Sequence, residues 1–387
     1  MKAMLARVLL AVAALALQPL SIGACSGASV TAEGKDQTEL DRMIGQMILV
    51  GFPGKFEREA GVAAAQKQVA EGTVGGVVLF PENISSPKQL KALIAYLRAT
   101  KSDPVPFIAV DQEGGLVQRL ARHNGHTEFP AARSVAANPA FSSEKSVLAL
   151  YGDMAKELAE AGFNLNLAPV VDLDRNPDNQ VIGARKRSFG SDPKRVTDLA
   201  RLFIRAHREH NVATAAKHFP GHGSSSADSH VGFADIDKTW RETELEPYRV
   251  LAGEDQLDIV MVGHLYHPTF SDGDKLPASL SRRSRTALRN PDGIGFKGVI
   301  MSDDLEMGAV AAYPLEERII KAINAGMDVI VFSNVTASDS ELGVKLHAII
   351  KAAIVDGRIA QDRIEQAYGK IMQLKRRLMQ SQLGENG

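Results

Sequence analysis

The sequence predicts an α/β fold, a single (β/α)8 barrel with insertions. Three observations carry that expectation. Eight short, continuous apolar runs rich in Val, Ile and Ala recur along the chain, each followed by a helical stretch, as parallel strands buried on both faces require. Polar residues stand at nearly every C-terminal end of those runs, where a barrel gathers its functional side chains. A doubly wound open sheet fits less well. No Gly-x-Gly-x-x-Gly turn follows the first run, and Phe80-Pro81 stand where a dinucleotide site needs an acid.

In order, Thr38 to Asp41 has the spacing of a capping box and predicts a short helix over Glu39 to Ile44. The first strand follows at Gln46 to Phe52. A helix at Ala60 to Glu71 leads to strand two, Val74 to Phe80. Ser86-Pro87 caps a helix from Lys88 to Thr100, with proline at its favoured first position. Strand three is Pro106 to Asp111. After an excursion through Pro130, a helix from Ser143 to Ala161 precedes strand four, Asn164 to Val171. Asp192-Pro193 opens a helix to His210, and Thr214 to Phe219 is strand five. A helix at Glu242 to Glu254 leads to strand six, Asp258 to His264, and strand seven is Gly298 to Asp303. A helix at Leu315 to Ala325 leads to strand eight, Asp328 to Ser333. Helices at Ser340 to Asp356 and Gln361 to Gln382 finish the chain.

The N-terminus is of another kind. Lys2 and Arg7 precede the apolar run Val8 to Leu17, and small residues end in Ile22-Gly23-Ala24-Cys25. A basic start, an apolar stretch of that length and a small-residue exit read as an export signal over residues 1–24. Cys25, the single cysteine, completes a sequence that resembles a lipobox, so a lipid anchor on its thiol is expected, the alternative being an ordinary secretory signal. Residues 25–36 then read as a flexible tether and 37–387 as one barrel domain with no second domain. The chain carries 45 basic and 46 acidic residues with no basic block, which argues against nucleic acid and leaves the anchor as the expected membrane contact.

The predicted strand ends carry Asp111 on three, Asp172 and Asp174 after four, Lys217 and His218 on five, His264 on six, Asp303 and Asp304 on seven and Asn334 after eight. Singly each reads as an ion pair or cap, but collected on one rim they make a site. Asp303 is the sharpest candidate, as a sugar-ring nucleophile, a metal ligand or an electrostatic stabiliser. Asp304 should point elsewhere and cap the next segment. From strand five runs Lys217-His-Phe-Pro-Gly-His-Gly-Ser-Ser-Ser-Ala-Asp-Ser-His230, which holds three of the ten histidines. Asp228 and His230, two apart, fall on one side of an extended loop, and an aspartate beside an imidazole prepares a general acid/base. Zinc held by His218, His222, His230 and Asp228 is the competing idea. Pro220 and Gly221 keep His218 and His222 from sharing a helix face, so neither metal nor organic cofactor is expected. Gly221 to Ala227 is flexible by composition and predicts an acid/base half that swings.

These residues carry a resemblance. Lys-His-Phe-Pro-Gly-His-Gly with Asp-Ser-His, Ser-Asp-Asp-Leu-x-Met at 302–307 and Val-Asp-Gln-Glu-Gly-Gly-x-Val-Gln-Arg at 110–119 resemble the family-3 glycoside hydrolases, in their β-N-acetylglucosaminidase branch. Gly75 to Phe80, Arg187 to Gly190, Pro277 to Ser281 and Ala325 to Asp328 match as well. The resemblance implies a retaining exo-β-N-acetylglucosaminidase or β-N-acetylhexosaminidase. Asp303 would be its nucleophile, His230 its acid/base and Asp228 the partner that orients His230. It also implies that Asp111, Arg119, Arg187, Lys217 and His218 bind a small carbohydrate with terminal β-GlcNAc, of cell-wall or chitin type. Leu116 stands where the family commonly has arginine. About two extra residues precede Arg187-Ser-Phe-Gly, which leaves Arg185 or Lys186 as alternatives to Arg187. A monomer in the cell envelope or periplasm is expected. The alternatives are a β-GlcNAc phosphorylase, an inactive sugar-binding lipoprotein and a metal-dependent hydrolase.

Overall fold

The computed structural model describes residues 29–99, 104–176, 178–273 and 275–384. The export signal at 1–24 and Cys25 lie outside the described residues. The chain divides after Glu39 into two units, and the second is the barrel. Helix α1, Ser29–Gln46, begins inside the stretch read as a tether. Thr38 lies within α1 rather than at its start, so the Thr38 to Asp41 spacing is not a capping box here.

Eight parallel strands close the barrel: β1 Ile48–Val50, β2 Gly76–Leu79, β3 Phe107–Val110, β4 Leu165–Asn166, β5 Ala213–Phe219, β6 Ile259–Val262, β7 Val299–Asp304 and β8 Val329–Phe332. Each pairs with its sequence neighbours, and β1 pairs with β8 to complete the ring. The apolar runs are wholly buried, as expected of strands covered inside and out. Close approach is set by small residues. Gly76 faces Phe107, and a Cβ there would come within 2.4 Å of the Phe107 carbonyl oxygen. Strand β4 is shorter than Asn164 to Val171. Pro169 has no amide to pair, and beyond it only the Val170–Lys217 bridge continues the ladder.

The outer helices are α2 Ala60–Ala70, α3 Pro87–Leu97, α4 Ala132–Ala137, α5 Glu144–Ala161, α6 Pro193–Glu209, α7 Glu246–Gly253, α8 Arg282–Arg289, α9 Leu315–Ala325, α10 Leu342–Val355 and α11 Gln361–Gly384. The cap read at Ser86 is formed, and Ser143 and Asp192, read as helix starts, cap as well: their side chains accept from the amides of Gln89, Ser146 and Lys194 respectively. The stretch Glu242 to Glu254 divides into a 3-10 turn at Glu242–Leu245 and α7, whose first turn takes Pro247. Helix α8 carries four arginines in eight residues and buries only Ser284 and Leu288, so apolar periodicity could not announce it.

Two buried carboxylates tie helices to strand starts on the face opposite the site. Asp258 accepts the Thr214 amide of β5 together with Arg208 of α6 and Arg377 of α11. Asp328 accepts the Ile300 amide of β7 at 2.9 Å, Arg289 of α8 at 3.0 Å and Arg363 of α11 at 2.6 Å. Beside them the buried Lys375 amine bonds Gln46 Oε1 and the Gly75 carbonyl and lies over the Phe107 ring. Burial without a carboxylate partner pushes this amine down to about 7. Removing one member of a buried ion cluster strands the others, at a cost of about 3–5 kcal/mol. Asp328→Asn is therefore expected to lower the urea midpoint sharply while the folded fraction keeps its kcat/KM, and an unchanged midpoint would show that this cluster does not hold the helices.

Candidate active site

The C-terminal ends of the strands open on a cavity of about 330 Å³ lined by Asp111, Arg119, Arg187, Lys217, His218, Asp228, His230 and Asp303 among others. All eight residues expected from sequence therefore face one space. Val78, Leu167 and Met261, from three different strands or strand ends, line it too. Its size lies at the low end of small-molecule sites.

One wall is a charge network. Asp111 and Glu113 are two residues apart, so both project to one side of the extended chain. Lys217 Nζ donates to Asp111 Oδ1 and lies the same 2.7 Å from Glu113 Oε1. Arg187 grips Glu113 with two bonds of 2.8 Å, and Arg119 donates to Asp111 Oδ2 at 3.1 Å. Burial alone would raise both carboxyls, but Lys217 and Arg119 around Asp111, and Arg187 and Lys217 around Glu113, hold them below the usual carboxylate range. Burial likewise opposes the Lys217 charge, and the two carboxylates outweigh it and raise the amine. Lys217 is thus a cation. Sequence reading missed the part played by Glu113, although its offset of two from Asp111 was the available signal.

Asp172 joins strand five to its loop. It is 1% exposed and accepts the His218 Nδ1–H at 2.7 Å, the His218 amide at 3.1 Å and the His222 amide at 2.8 Å. With Nδ1 donating, His218 Nε2 is the acceptor for Arg187 at 3.4 Å. The Lys217–His218 peptide bond is cis. Burial pushes the His222 imidazole down to about 4, so it is neutral, and its Nε2 lies 3.0 Å from Ser229 Oγ.

The segment after His218 is not the loose spacer its composition suggests. Gly221 to Ser225 is buried. Asn179 donates to the carbonyls of His222 and Ser225 at 2.8 and 2.9 Å, and Asn176 to Ser225 at 3.0 Å. At Gly223 a Cβ would sit 1.6 Å from the Leu173 carbonyl oxygen. The far end is held as well, because the amides of Gly308 and Ala309, beyond β7, donate to the carbonyls of His230 and Ser229. His230 Nδ1 lies 2.7 Å from Asp228 Oδ1, which also accepts the His230 amide, and 60% of the imidazole is exposed. His222 and His230 thus have different partners, and among the described residues no three His, Cys, Asp or Glu side chains converge as a metal-ligand group.

Asp303 comes off β7 into the cavity, and its Oδ1 accepts the Asp304 amide at 2.8 Å. Burial pushes its carboxyl up, but the imidazoles of His218 and His264, the Asp304 amide and His230 together bring it below its ordinary value. Asp304 turns to the next segment and accepts the amides of Glu306 and Ser333, both at 3.0 Å, while burial raises it to about 6.

The remaining strand-end candidates serve the scaffold. His264 bonds Ser279 and the Asp304 carbonyl, Asn334 bonds the carbonyls of Gly51 and Asp339, and Asp174 pairs with Arg133. Arg185 also borders the cavity, exposed at its rim, with Nε on the Gln180 carbonyl, whereas Arg187 is the arginine built into the network.

A half-buried carboxylate at the end of one strand and an Asp–His pair with an exposed imidazole, lining the same cavity, can support acid/base-assisted displacement. Comparison with known proteins places the chain in a family. Residues 39–374 match the glycosyl hydrolase family 3 N terminal domain. The chain is 39% identical over 269 residues to a beta-hexosaminidase of Pseudomonas aeruginosa, covering 68% of this chain and 76% of that one. A beta-hexosaminidase of Tolumonas auensis is 40% identical over 273 residues, with the same coverage. Among solved structures, a glycoside hydrolase family 3 beta-N-acetylglucosaminidase from Paenibacillus superposes with a TM-score of 0.77 at 32% identity. The match covers 88% of this chain and 62% of that longer one. A beta-N-acetylhexosaminidase from Beutenbergia cavernae gives 0.76 at 26% identity, over 87% of this chain and 98% of that one. With one family model spanning almost the whole barrel, the chain belongs to glycosyl hydrolase family 3 and is a glycoside hydrolase of the beta-hexosaminidase kind.

Proposed function

We propose that the protein is a retaining exo-β-N-acetylglucosaminidase that removes a terminal, non-reducing β-GlcNAc from cell-wall or chitin-type saccharides. The observation that carries this reading is the shared cavity of Asp303 and the Asp228–His230 pair. Its modest volume and packed floor suit one terminal sugar rather than a threaded chain. Asp111, Arg119, Lys217, Arg187 and His218 would hold sugar hydroxyls and the N-acetyl group by charge-assisted hydrogen bonds, a reading supported by their common wall of the cavity.

In the first step a carboxylate oxygen of Asp303 attacks the anomeric carbon as the bond to the leaving oxygen breaks. Because Oδ1 is engaged by the Asp304 amide, Oδ2 is the attacking atom. His230 gives its Nε2 proton to the leaving oxygen, while Asp228 holds Nδ1–H and stabilises the imidazolium beforehand. In the second step the neutral imidazole takes a proton from water, which attacks the anomeric carbon and releases Asp303. Histidine in place of a second carboxyl departs from the usual pair of acids, and the adjoining aspartate is what suits it to both steps.

We infer further that the protein acts as a monomer and that it is exported and anchored by lipid on Cys25, the export and anchor being supported by the basic, apolar and small-residue order of residues 1–25.

Asp303→Ala is expected to abolish turnover of aryl β-GlcNAc with no change in melting temperature. His230→Ala should lose about 10²–10⁴-fold on a sugar leaving group and less on an activated aryl one, which needs no proton. Normal turnover by either variant sinks its assignment. Free GlcNAc is the expected product with or without phosphate, and sugar 1-phosphate would make the enzyme a phosphorylase. Asp303 and Asp228 are both held below the ordinary aspartate value and must be charged to act. The acid limb of kcat/KM should therefore fall below about pH 4, and a limb near pH 6 would contradict the assignments. Finally, the full chain should partition into detergent when expressed with its own N-terminus and Cys25→Ser should not; equal partition would remove the anchor.

A further inference from the structure

We propose, on the basis of the function just given, that Leu116 is the leaving-group contact of this enzyme. It would act as a fixed apolar finger that packs on the ring face of the unit bonded to the departing oxygen. The argument begins with exposure. Leu116 lines the catalytic cavity yet is 74% exposed, and Val335, which borders the same cavity after β8, is 42% exposed. A lone exposed leucine is ordinary. This one differs in how it is held.

Leu116 stands with Gly115 in the turn of a hairpin in which Gln112–Gly114 pairs with Val117–Gln118. Gly114 and Gly115 take φ of 93° and 63°, and a Cβ on either would come within 2.5 Å of the chain at Pro130 or Ala131. The Gly115 amide bonds the Phe129 carbonyl at 2.8 Å, Gln118 bonds Gly115 and Phe129, and Gln112 bonds the backbone of Arg119 and Leu120. The hairpin also carries Glu113, and Asp111 and Arg119 flank it. The register that fixes the sugar-binding charges therefore fixes Leu116 as well.

Position then assigns the contact. The terminal sugar belongs with the buried charges of Asp111, Lys217 and Arg187, and its leaving oxygen belongs beside His230, whose imidazole is at the open end. The group beyond that oxygen lies at the mouth, where Leu116 and Val335 present carbon. A pyranose offers a face of C–H groups that suits such a surface, and an aryl ring imitates it.

The test compares wild type with Leu116→Ser on three substrates: the β-1,4-linked GlcNAc disaccharide, 4-nitrophenyl β-GlcNAc and methyl β-GlcNAc, whose methyl group is too small to reach the rim. The variant should lose about five- to tenfold in kcat/KM on the first two, as expected when part of a leucine's contact is removed, and stay within twofold on the third. Inhibition by free GlcNAc and the melting temperature should not move. An unchanged disaccharide kcat/KM, or an equal fall on all three substrates, overturns the role. Wild-type enzyme inactive on all three overturns the parent reading and this role with it, and no Leu116 variant is needed to see that.

Discussion

The site depends on the buried carboxylate of Asp172. Its oxygens accept three N–H groups from the end of strand β5 and the loop after it: the ring and amide of His218 and the amide of His222. A buried anion is costly unless its lone pairs are occupied, and here the chain itself occupies them. The consequence is geometric. One carboxylate turns the backbone after the strand, sets the His218 tautomer and starts the loop that ends in the Asp228–His230 pair. The two halves to which we assign sugar binding and proton transfer are thereby referred to one point.

Around that point the charges are arranged in pairs. Glu113 is shared by Arg187 and Lys217, and Asp111 by Lys217 and Arg119. Such buried networks add little to stability compared with apolar packing, so their presence argues for position rather than strength. They leave donors fixed at the wall of the cavity, where in the proposed reaction they would meet sugar hydroxyls. Asp303 stays anionic in the same space because imidazoles and the Asp304 amide offset the cost of its burial.

Much of this was legible in the sequence. The barrel followed from eight apolar runs, and the residues at the ends of runs three, five and seven, Asp111, Lys217, His218 and Asp303, do meet at one mouth. Local patterns carried that far because strand ends and caps are local. What failed was non-local. Gly221 to Ala227 reads as flexible because nothing nearby in sequence restrains Gly and Ser, yet Asn176 and Asn179, more than forty residues earlier, hold its backbone. Asp172 reads as one acid among several strand-end acids until His218 and His222 are seen around it. Asp328, within a stretch that matches the family, lies on the opposite face and braces helices instead of sugar. A shared motif identified the family without separating residues that hold the frame from residues that hold the ligand.

The pinned segment between His218 and Ser229 has a consequence for where the work of catalysis is done. A loop that must be ordered when substrate arrives subtracts its conformational entropy from the binding energy, at about 1–2 kcal/mol for each residue fixed. Here Gly221 to Ser225 is already buried and bonded, so that cost falls on folding. In the reaction we propose, the energy of gripping the sugar is then free to act on the ring, drawing it toward the flattened, positively charged geometry of the anomeric carbon.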